Sequence, residues 1–221
     1  MTTPRLVVVS NRLPIVVERE EDGEWHVSPG SGGLVTAMAP VLDRRGGVWI
    51  GWPGVASEEG DRWADLIARE LPERPYDLVP VPLSSDDLDG FYYGFANAVL
   101  WPLFHDLLDR CHFAPEFWYA YRDVNVRYAE TVADVARPDD FIWIHDYHLI
   151  HAGAELRDRL PEHRLGFFLH IPFPPLDLFL KLPWRADLLR ALLSYDVIGF
   201  QTARDRRHFR ECLRTLLPED E

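Results

Sequence analysis

The chain has 221 residues, with 23 Lys and Arg against 36 Asp and Glu, a formal charge of −13 with His neutral. At 47% apolar residues, with 8 Trp, 8 Tyr and 12 Phe, it is too rich in core-forming side chains to be disordered, and a chain this long buries roughly 70% of its unfolded surface. The acidic balance, with no run of Lys and Arg, argues against nucleic acid or an anionic membrane surface as a partner. No apolar stretch approaches the roughly 18 residues of a membrane span, and the opening Met-Thr-Thr-Pro-Arg leads into an apolar run too short for a secretory core, so a cytoplasmic protein is expected. Cys111 and Cys212 stand far apart and outside any Cys-x-x-Cys spacing, which predicts two ordinary thiols rather than a disulfide or a thiolate metal site.

Short apolar runs alternate with longer amphipathic stretches along the whole chain. That alternation predicts an α/β fold, a Rossmann-like parallel sheet with helices on both faces. The first run, residues 6–9, is followed by Ser10-Asn11-Arg12. Next, Val16-Val17 and Trp25-His26-Val27 flank Asp22-Gly23, the sequence of a hairpin turn, read as a surface excursion. Pro29-Gly30-Ser31-Gly32-Gly33 then precedes a helix expected over 34–44. Strands follow at 48–50 and 76–81, separated by a helix over 57–70, and a further helix is expected over 85–108. Phe117, Tyr121, Val124, Tyr128, Val132 and Val135 recur at three- and four-residue steps, giving an amphipathic helix over 116–137 that Pro138 stops. Strands at 141–144, 165–169 and 197–200 alternate with helices over 151–160 and 202–217.

In an open α/β sheet, ligands bind beyond the carboxyl ends of the strands, where loops converge on helix N-termini. Four strand ends here are polar: Ser10-Asn11-Arg12, His145-Asp146-Tyr147-His148, His170 and Gln201-Thr202. Their convergence is the basis for expecting a site. The glycine-rich turn at Gly32-Gly33 lets backbone approach a ligand and aim N–H groups at phosphate or sugar oxygens, although its spacing fits neither the dinucleotide fingerprint nor a P-loop. Arg12 offers a fork suited to phosphate, a local cation that an anionic substrate would need in so acidic a chain. His145, His148 and His151 raise a metal reading, but no second carboxylate–His pair or Cys cluster accompanies them and they straddle a strand end and a turn, so no metal is expected. Asp146 reads instead as an acceptor for ligand hydroxyls or a partner orienting a His. Among the aromatics, Trp52 between Gly51 and Pro53 is the candidate for sugar contact and Trp49 for core.

Taken in order, VVVSNRLP (7–14), SGGL (31–34), VWIGWPG (48–54), YYGFANAVLWPLFH (92–105), WIHDYHL (143–149), GFFLHIPFP (166–174) and SYDVIGFQT (194–202) resemble the N-terminal half of the retaining glycosyltransferases of family 20, the trehalose-6-phosphate synthases. The resemblance covers nearly the whole chain. It implies a GT-B enzyme, two Rossmann-like domains across a cleft, that transfers glucose from UDP-glucose to glucose 6-phosphate with retention and without a metal or other cofactor. By motif position it implies acceptor-phosphate contacts from Arg12 and Tyr92, an acceptor-sugar pocket of Trp52, Trp101 and Asp146, and a donor contact at Gly32 and Gly33. His170 then stands beside the transferred glucose, with Asp146 also at the reacting centre. Residues 1–221 are expected to form the acceptor-side domain, the C-terminal donor domain being absent, so that the isolated chain is inactive. Tyr93 stands where relatives commonly have Asn, which leaves the choice between Tyr92 and Tyr93 to the fold. A related synthase with another phosphorylated or cyclitol acceptor, and a non-catalytic sugar-phosphate-binding module, are the alternatives, and homo-oligomerisation is left open.

Overall fold

The computed structural model of the chain describes residues 4–19, 23–57, 63–71 and 74–217. In chain order the elements are β1 (Leu6–Arg12), β2 (Ile15–Arg19), β3 (Trp25–Pro29), α1 (Gly33–Arg45), β4 (Val48–Trp52), α2 (Trp63–Glu70) and β5 (Asp77–Pro80). Then come α3 (Ser85–Asp87), a π-helical segment (Leu88–Leu100), α4 (Trp101–Phe104), α5 (Pro115–Val135), β6 (Phe141–His145), α6 (Ala152–Arg159), β7 (Arg164–Leu169), α7 (Leu176–Phe179), α8 (Arg185–Leu192), β8 (Val197–Phe200) and α9 (Ala203–Leu216). Six strands form one sheet in the order β5-β4-β1-β6-β7-β8, every pairing parallel. The chain runs outward from β1 through β4 to β5, then returns to β1's other side with β6. The crevice beyond the carboxyl ends of β1 and β6 is therefore the sheet's switch point, where α/β proteins of this kind bind ligands.

The apolar runs show why the strands lack alternation in exposure. On β1, Val7 and Val9 enter a large core with Ile142, Ile144, Phe167 and the helical faces of the π segment, α5, α6 and α8. Leu6 and Val8 enter a second core on the opposite face, with Trp49, Met38 and Leu42 of α1, and Leu66 and Ile67 of α2. Both faces are covered, so hydrophobic burial acts on every residue of the strand.

Two expectations change. The hairpin is a real antiparallel pair, with Ile15 opposite Pro29 and Arg19 opposite Trp25, its tip residues 20–22 lying outside the described residues. It is not a surface excursion, because Ile15, Val17 and Val27 are buried in the second core. The helix expected over 85–108 is helical only to Phe104, and its middle is wound one residue wider than an α-helix: the N–H of Trp101 bonds to the carbonyl of Ala96. Small residues on this segment accommodate α5, since a Cβ on Gly90 would lie 2.5 Å from that of Ala120 and one on Gly94 2.7 Å from the Phe117 ring. The helix over 57–70 is seen from Trp63 onward, with 58–62 outside the described residues, and the short α7 and α8 were not anticipated.

Helix α5 opens with Pro115 at its first turn and presents Trp118, Tyr121, Val124, Tyr128, Ala129 and Val132 to the large core. It also fastens both loops of the switch point. Tyr128 Oη donates to the Asn11 carbonyl (2.6 Å) and accepts from the Trp52 N–H (3.1 Å). Tyr121 Oη donates to the Tyr147 carbonyl (2.8 Å) and accepts from the Ile150 N–H (3.1 Å). Buried Asn125 donates to the His148 carbonyl (3.0 Å) and accepts from the Ala152 N–H (2.9 Å). These buried, satisfied polar groups hold the loops that follow β1 and β6 in one arrangement.

The same helix ends against an ion pair that ties it to β1. Arg5 Nη2 lies 2.7 Å from Asp140 Oδ2 and also donates to the Val135 carbonyl, while Asp140 accepts from the Arg137 N–H. Burial would raise the Asp140 pKa, but the hydrogen bonds from Arg5 and Arg137 bring it below the usual carboxylate value. Arg5→Ala should therefore destabilise the fold by about 3 kcal/mol near neutral pH, the cost of a buried carboxylate left without its cation. Because a depressed folded pKa contributes stability above the unfolded value, about 3.9, and loses it as pH falls through the folded one, the deficit should shrink toward pH 2–3. Urea melts of both proteins at pH 7 and pH 3 check this; an equal deficit at both would contradict it.

Candidate active site

A cleft of about 790 Å³ opens at the switch point, lined among others by Arg12, Gly32, Gly33, Asp146, His170 and Gln201. The guanidinium near the start of the chain and the imidazole three-quarters of the way along thus share one rim.

Arg12 reaches the rim because β1 carries an irregularity at its end: Val9 pairs with Ile50 but Arg12 with Trp52, one extra residue on β1. The bulge is pinned from several sides. Trp49 Nε1 donates to Ser10 Oγ (2.8 Å), which donates to the Arg12 carbonyl (2.7 Å), and the Leu13 N–H bonds to the Trp52 carbonyl. Gly51 permits the approach, since a Cβ there would lie 2.8 Å from Leu13 N and 2.9 Å from the Ser10 carbonyl oxygen. The Arg12 guanidinium lies 5.1 Å from the Trp52 ring centre, a cation–π contact. The fork also lies against Gly54, where an added Cβ would collide with Nη2, and among the described residues it has no carboxylate partner, so its charge is left for a ligand.

Across the cleft, α1 begins at Gly33 after Gly32, whose φ of 138° lies in the region only glycine enters freely. A Cβ on either glycine would meet nothing within 4 Å, so this edge of the cleft is backbone open to an approaching group. The first N–H groups of α1 have no intrahelical acceptors and favour an anion.

Asp146 follows β6 with φ 75° and caps a short 3₁₀ turn, a conformation that Asp tolerates better than most residues. Its Oδ1 accepts from the N–H groups of Tyr147 (3.0 Å) and His170 (3.1 Å), and its own N–H bonds to the Phe168 carbonyl of β7. Oδ2 remains without a protein partner among the described residues. Burial raises the Asp146 pKa, countered by the Tyr147 N–H and the charge of His170. Burial lowers that of His170, countered by Asp146. His170 is bonded through Nε2 to Nδ1 of His145 at 3.0 Å, and Gln201 Nε2 donates to its carbonyl.

Trp52, Tyr92 and Trp101 are not among the residues lining the cleft; ring contacts connect Trp52 and Tyr92 to it. Trp52 touches Arg12 and packs against Tyr92 at 6.2 Å; Tyr92 stacks on cleft-lining His148 at 5.8 Å. Trp101 packs on His105 at 4.3 Å, whose charge bears on Asp146. Tyr92 is thus the tyrosine directed at Trp52 and His148, whereas Tyr93 is 62% exposed.

The three histidines that suggested a metal have separate neighbours. His145 meets His170, His148 lies between Tyr92 and Tyr147, and His151 accepts from Arg122 Nε at 3.1 Å. Among the described residues no three His, Cys, Asp or Glu come together as metal ligands, and no helix is long and apolar enough to cross a membrane. Cys111 and Cys212 are free, and burial raises both thiols, Cys212 to about 12. Sequence reasoning did not foresee two features of the site. The hairpin contributes Ile15 and Val16 to the cleft wall, and Asn97 accepts from Tyr147 Oη at 2.9 Å beside the Asp146 cap. Pairing of the hairpin was legible, its side of the sheet was not; Asn97 carried no signal of its own.

A curated trehalose-6-phosphate synthase of Mycobacterium avium is 43% identical over 213 residues, covering 96% of this chain and 42% of its own length. A solved α,α-trehalose-phosphate synthase (UDP-forming) of Burkholderia xenovorans in complex with glucose-6-phosphate superposes with a TM-score of 0.78 at 36% identity, covering 95% of this chain and 42% of that one. An E. coli trehalose-6-phosphate protein bound with UDP-2-fluoro glucose gives 0.81 at 40% identity, covering 96% and 43%. The chain therefore spans about two-fifths of the length of these relatives. The model of Glycosyltransferase family 20 matches residues 4–220, and the chain belongs to that family.

Proposed function

We propose that these residues form the N-terminal, acceptor-side domain of a trehalose-6-phosphate synthase, completed by a donor-binding domain outside the 221 residues. The observation that carries this reading is the rim itself: an uncompensated guanidinium at Arg12, open backbone at Gly32 and Gly33, and the Asp146–His170 pair around one cleft at the sheet's switch point. A sugar phosphate suits that arrangement. Arg12 binds the acceptor phosphate with Tyr92 beside it, Asp146 Oδ2 accepts from a hydroxyl of the acceptor sugar, and Trp52 and Trp101 cover its apolar faces. Gly32, Gly33 and the start of α1 lie against the donor, and His170 stands beside the transferred glucose. The relatives bound with glucose-6-phosphate and with UDP-2-fluoro glucose support these two substrate classes.

In the reaction, the anomeric oxygen of glucose 6-phosphate bonds to C1 of the donor glucose while the bond from C1 to the UDP oxygen breaks. Attack comes from the face the diphosphate leaves, so configuration is retained, and the departing diphosphate takes the acceptor's proton. The protein's task is then to hold two sugars in reactive geometry and to stabilise charge on the leaving group. Calorimetry tests the division of labour: the 221-residue chain should bind glucose 6-phosphate weakly and UDP-glucose hardly at all. Tight UDP-glucose binding, or turnover by this chain alone, would overturn it. An acceptor screen with the intact enzyme should favour glucose 6-phosphate over glycerol 3-phosphate and cyclitols.

A further inference from the structure

The rings of His145 and His170 meet Nδ1 to Nε2 at 3.0 Å, across the β6–β7 pairing in which His145 stands opposite Phe168. Two ring nitrogens at that distance share one proton, so one ring donates and the other accepts. His145 is the buried member, 2% exposed and packed on Trp143 at 4.9 Å, with its Nε2 buried and unpartnered. Burial and the neighbouring His170 push its pKa down to about 3, so near pH 7 it carries one ring proton.

The position of that proton follows from the cost of each alternative. On Nε2 it would be a buried N–H with no acceptor, a rarer and costlier outcome than a bare lone pair. On Nδ1 it makes the bond to His170. His170 Nε2 must then accept, and the His170 proton resides on Nδ1, which has no bond to a protein atom among the described residues and belongs to a side chain lining the cleft. The backbone of His170 is held independently, its N–H by Asp146 and its carbonyl by Gln201, and its ring packs on Phe168 at 4.8 Å, so the hydrogen bond from His145 is what sets the ring's tautomer.

We propose that His145 is a positioning residue that fixes His170 as its Nδ1–H tautomer, presenting a neutral hydrogen-bond donor to the cleft and withholding Nε2 from proton transfer. The tautomer stands on the geometry of the two rings. Its consequence, that His170 donates to an oxygen of the transferred sugar and is not a base, rests on the function proposed above and agrees with a proton that leaves on the diphosphate.

Ring-nitrogen NMR on the histidine-labelled 221-residue chain at pH 7.5 tests the tautomer directly. His170 should show a protonated Nδ1 and a bare Nε2, and His145 a protonated Nδ1. A protonated Nε2 on His170 overturns the proposal. His145→Phe should remove the donor that holds His170 Nε2 as an acceptor, so the pure Nδ1–H signature gives way to a mixture of both tautomers, and His145→Asn, whose amide can donate from near the Nδ1 position, should restore the Nδ1–H signal. In the intact enzyme His145→Phe should lower kcat about 10-fold with the acceptor KM changed less than about twofold, and His145→Asn should recover most of the loss. Equal losses in both variants would make His145 a packing residue and overturn the proposal. An Nδ1–H signature in an enzyme that transfers no glucosyl group would uphold the tautomer and reject the function.

Discussion

Arg12→Ala in the intact enzyme is expected to reduce kcat/KM for glucose 6-phosphate about 100-fold, most of it as a raised acceptor KM. A guanidinium makes two parallel charge-assisted hydrogen bonds to a phosphate, and losing both from a partly exposed site corresponds to roughly two factors of ten. The change should not spread into the fold. What holds the end of β1 is its backbone, through Ser10 Oγ on the Arg12 carbonyl and the Tyr128 hydroxyl on the Asn11 carbonyl, and alanine keeps both. Arg12→Lys should fall between, because a lysine retains the charge but loses the fork and the planar face that lies on Trp52. Steady-state kinetics with varied glucose 6-phosphate at saturating UDP-glucose measure this, alongside thermal melts. An unchanged acceptor KM in Arg12→Ala would remove Arg12 from the phosphate site; a wild-type melt would show that the residue was acting on ligand and not on folding.

Much of this architecture was legible in the sequence because the physics was local. An unalternating apolar run followed by polar residues reads as a parallel strand ending at a ligand-facing loop, and this brought Arg12, Asp146, His170 and the Gly32-Gly33 turn to one rim. Features set by tertiary contact were not legible. The wide winding of Leu88–Leu100 depends on how Gly90 and Gly94 meet α5, and an apolar pattern alone does not distinguish five-residue from four-residue bonding. Helices α7 and α8 lie in a proline-rich stretch where periodicity is too short to register. Asp22-Gly23 between Val16-Val17 and Trp25-His26-Val27 foretold pairing but not that Ile15, Val17 and Val27 join the second core or that Trp25 packs edge-on against Trp63 of α2 at 5.1 Å. The His145–His170 contact needs the register of β6 on β7. Seen as a string, His145 was one of three evenly spaced imidazoles that raised a metal reading only to have it set aside, and nothing in the spacing singled it out as the partner of His170; the fold gives each ring a different neighbour.

Asp146→Asn is expected to cost about 100- to 1,000-fold in kcat/KM while leaving thermal stability nearly unchanged. Asparagine tolerates the positive φ of 75° at this position, and its amide oxygen can still accept from the Tyr147 and His170 N–H groups that Oδ1 now serves. What changes is the other atom. Oδ2, an anionic acceptor without a protein partner among the described residues, becomes an N–H₂ donor, which offers nothing to a sugar hydroxyl that must donate and removes the charge that counters the burial of His170. The pH profile carries a second signature. Burial holds the Asp146 carboxyl above the usual carboxylate pKa, and the ionised form is the one that accepts. Activity in the unsubstituted enzyme should therefore fall as pH drops through that raised value, at a higher pH than an ordinary Asp would give. In Asp146→Asn this acid limb should vanish from kcat measured at saturating glucose 6-phosphate, where the ionisation of the acceptor phosphate at about pH 6 no longer enters through binding, since an amide does not titrate. If the limb persists at the same pH in the variant, the titrating group lies elsewhere, and Asp146 holds the turn without taking part in the transfer.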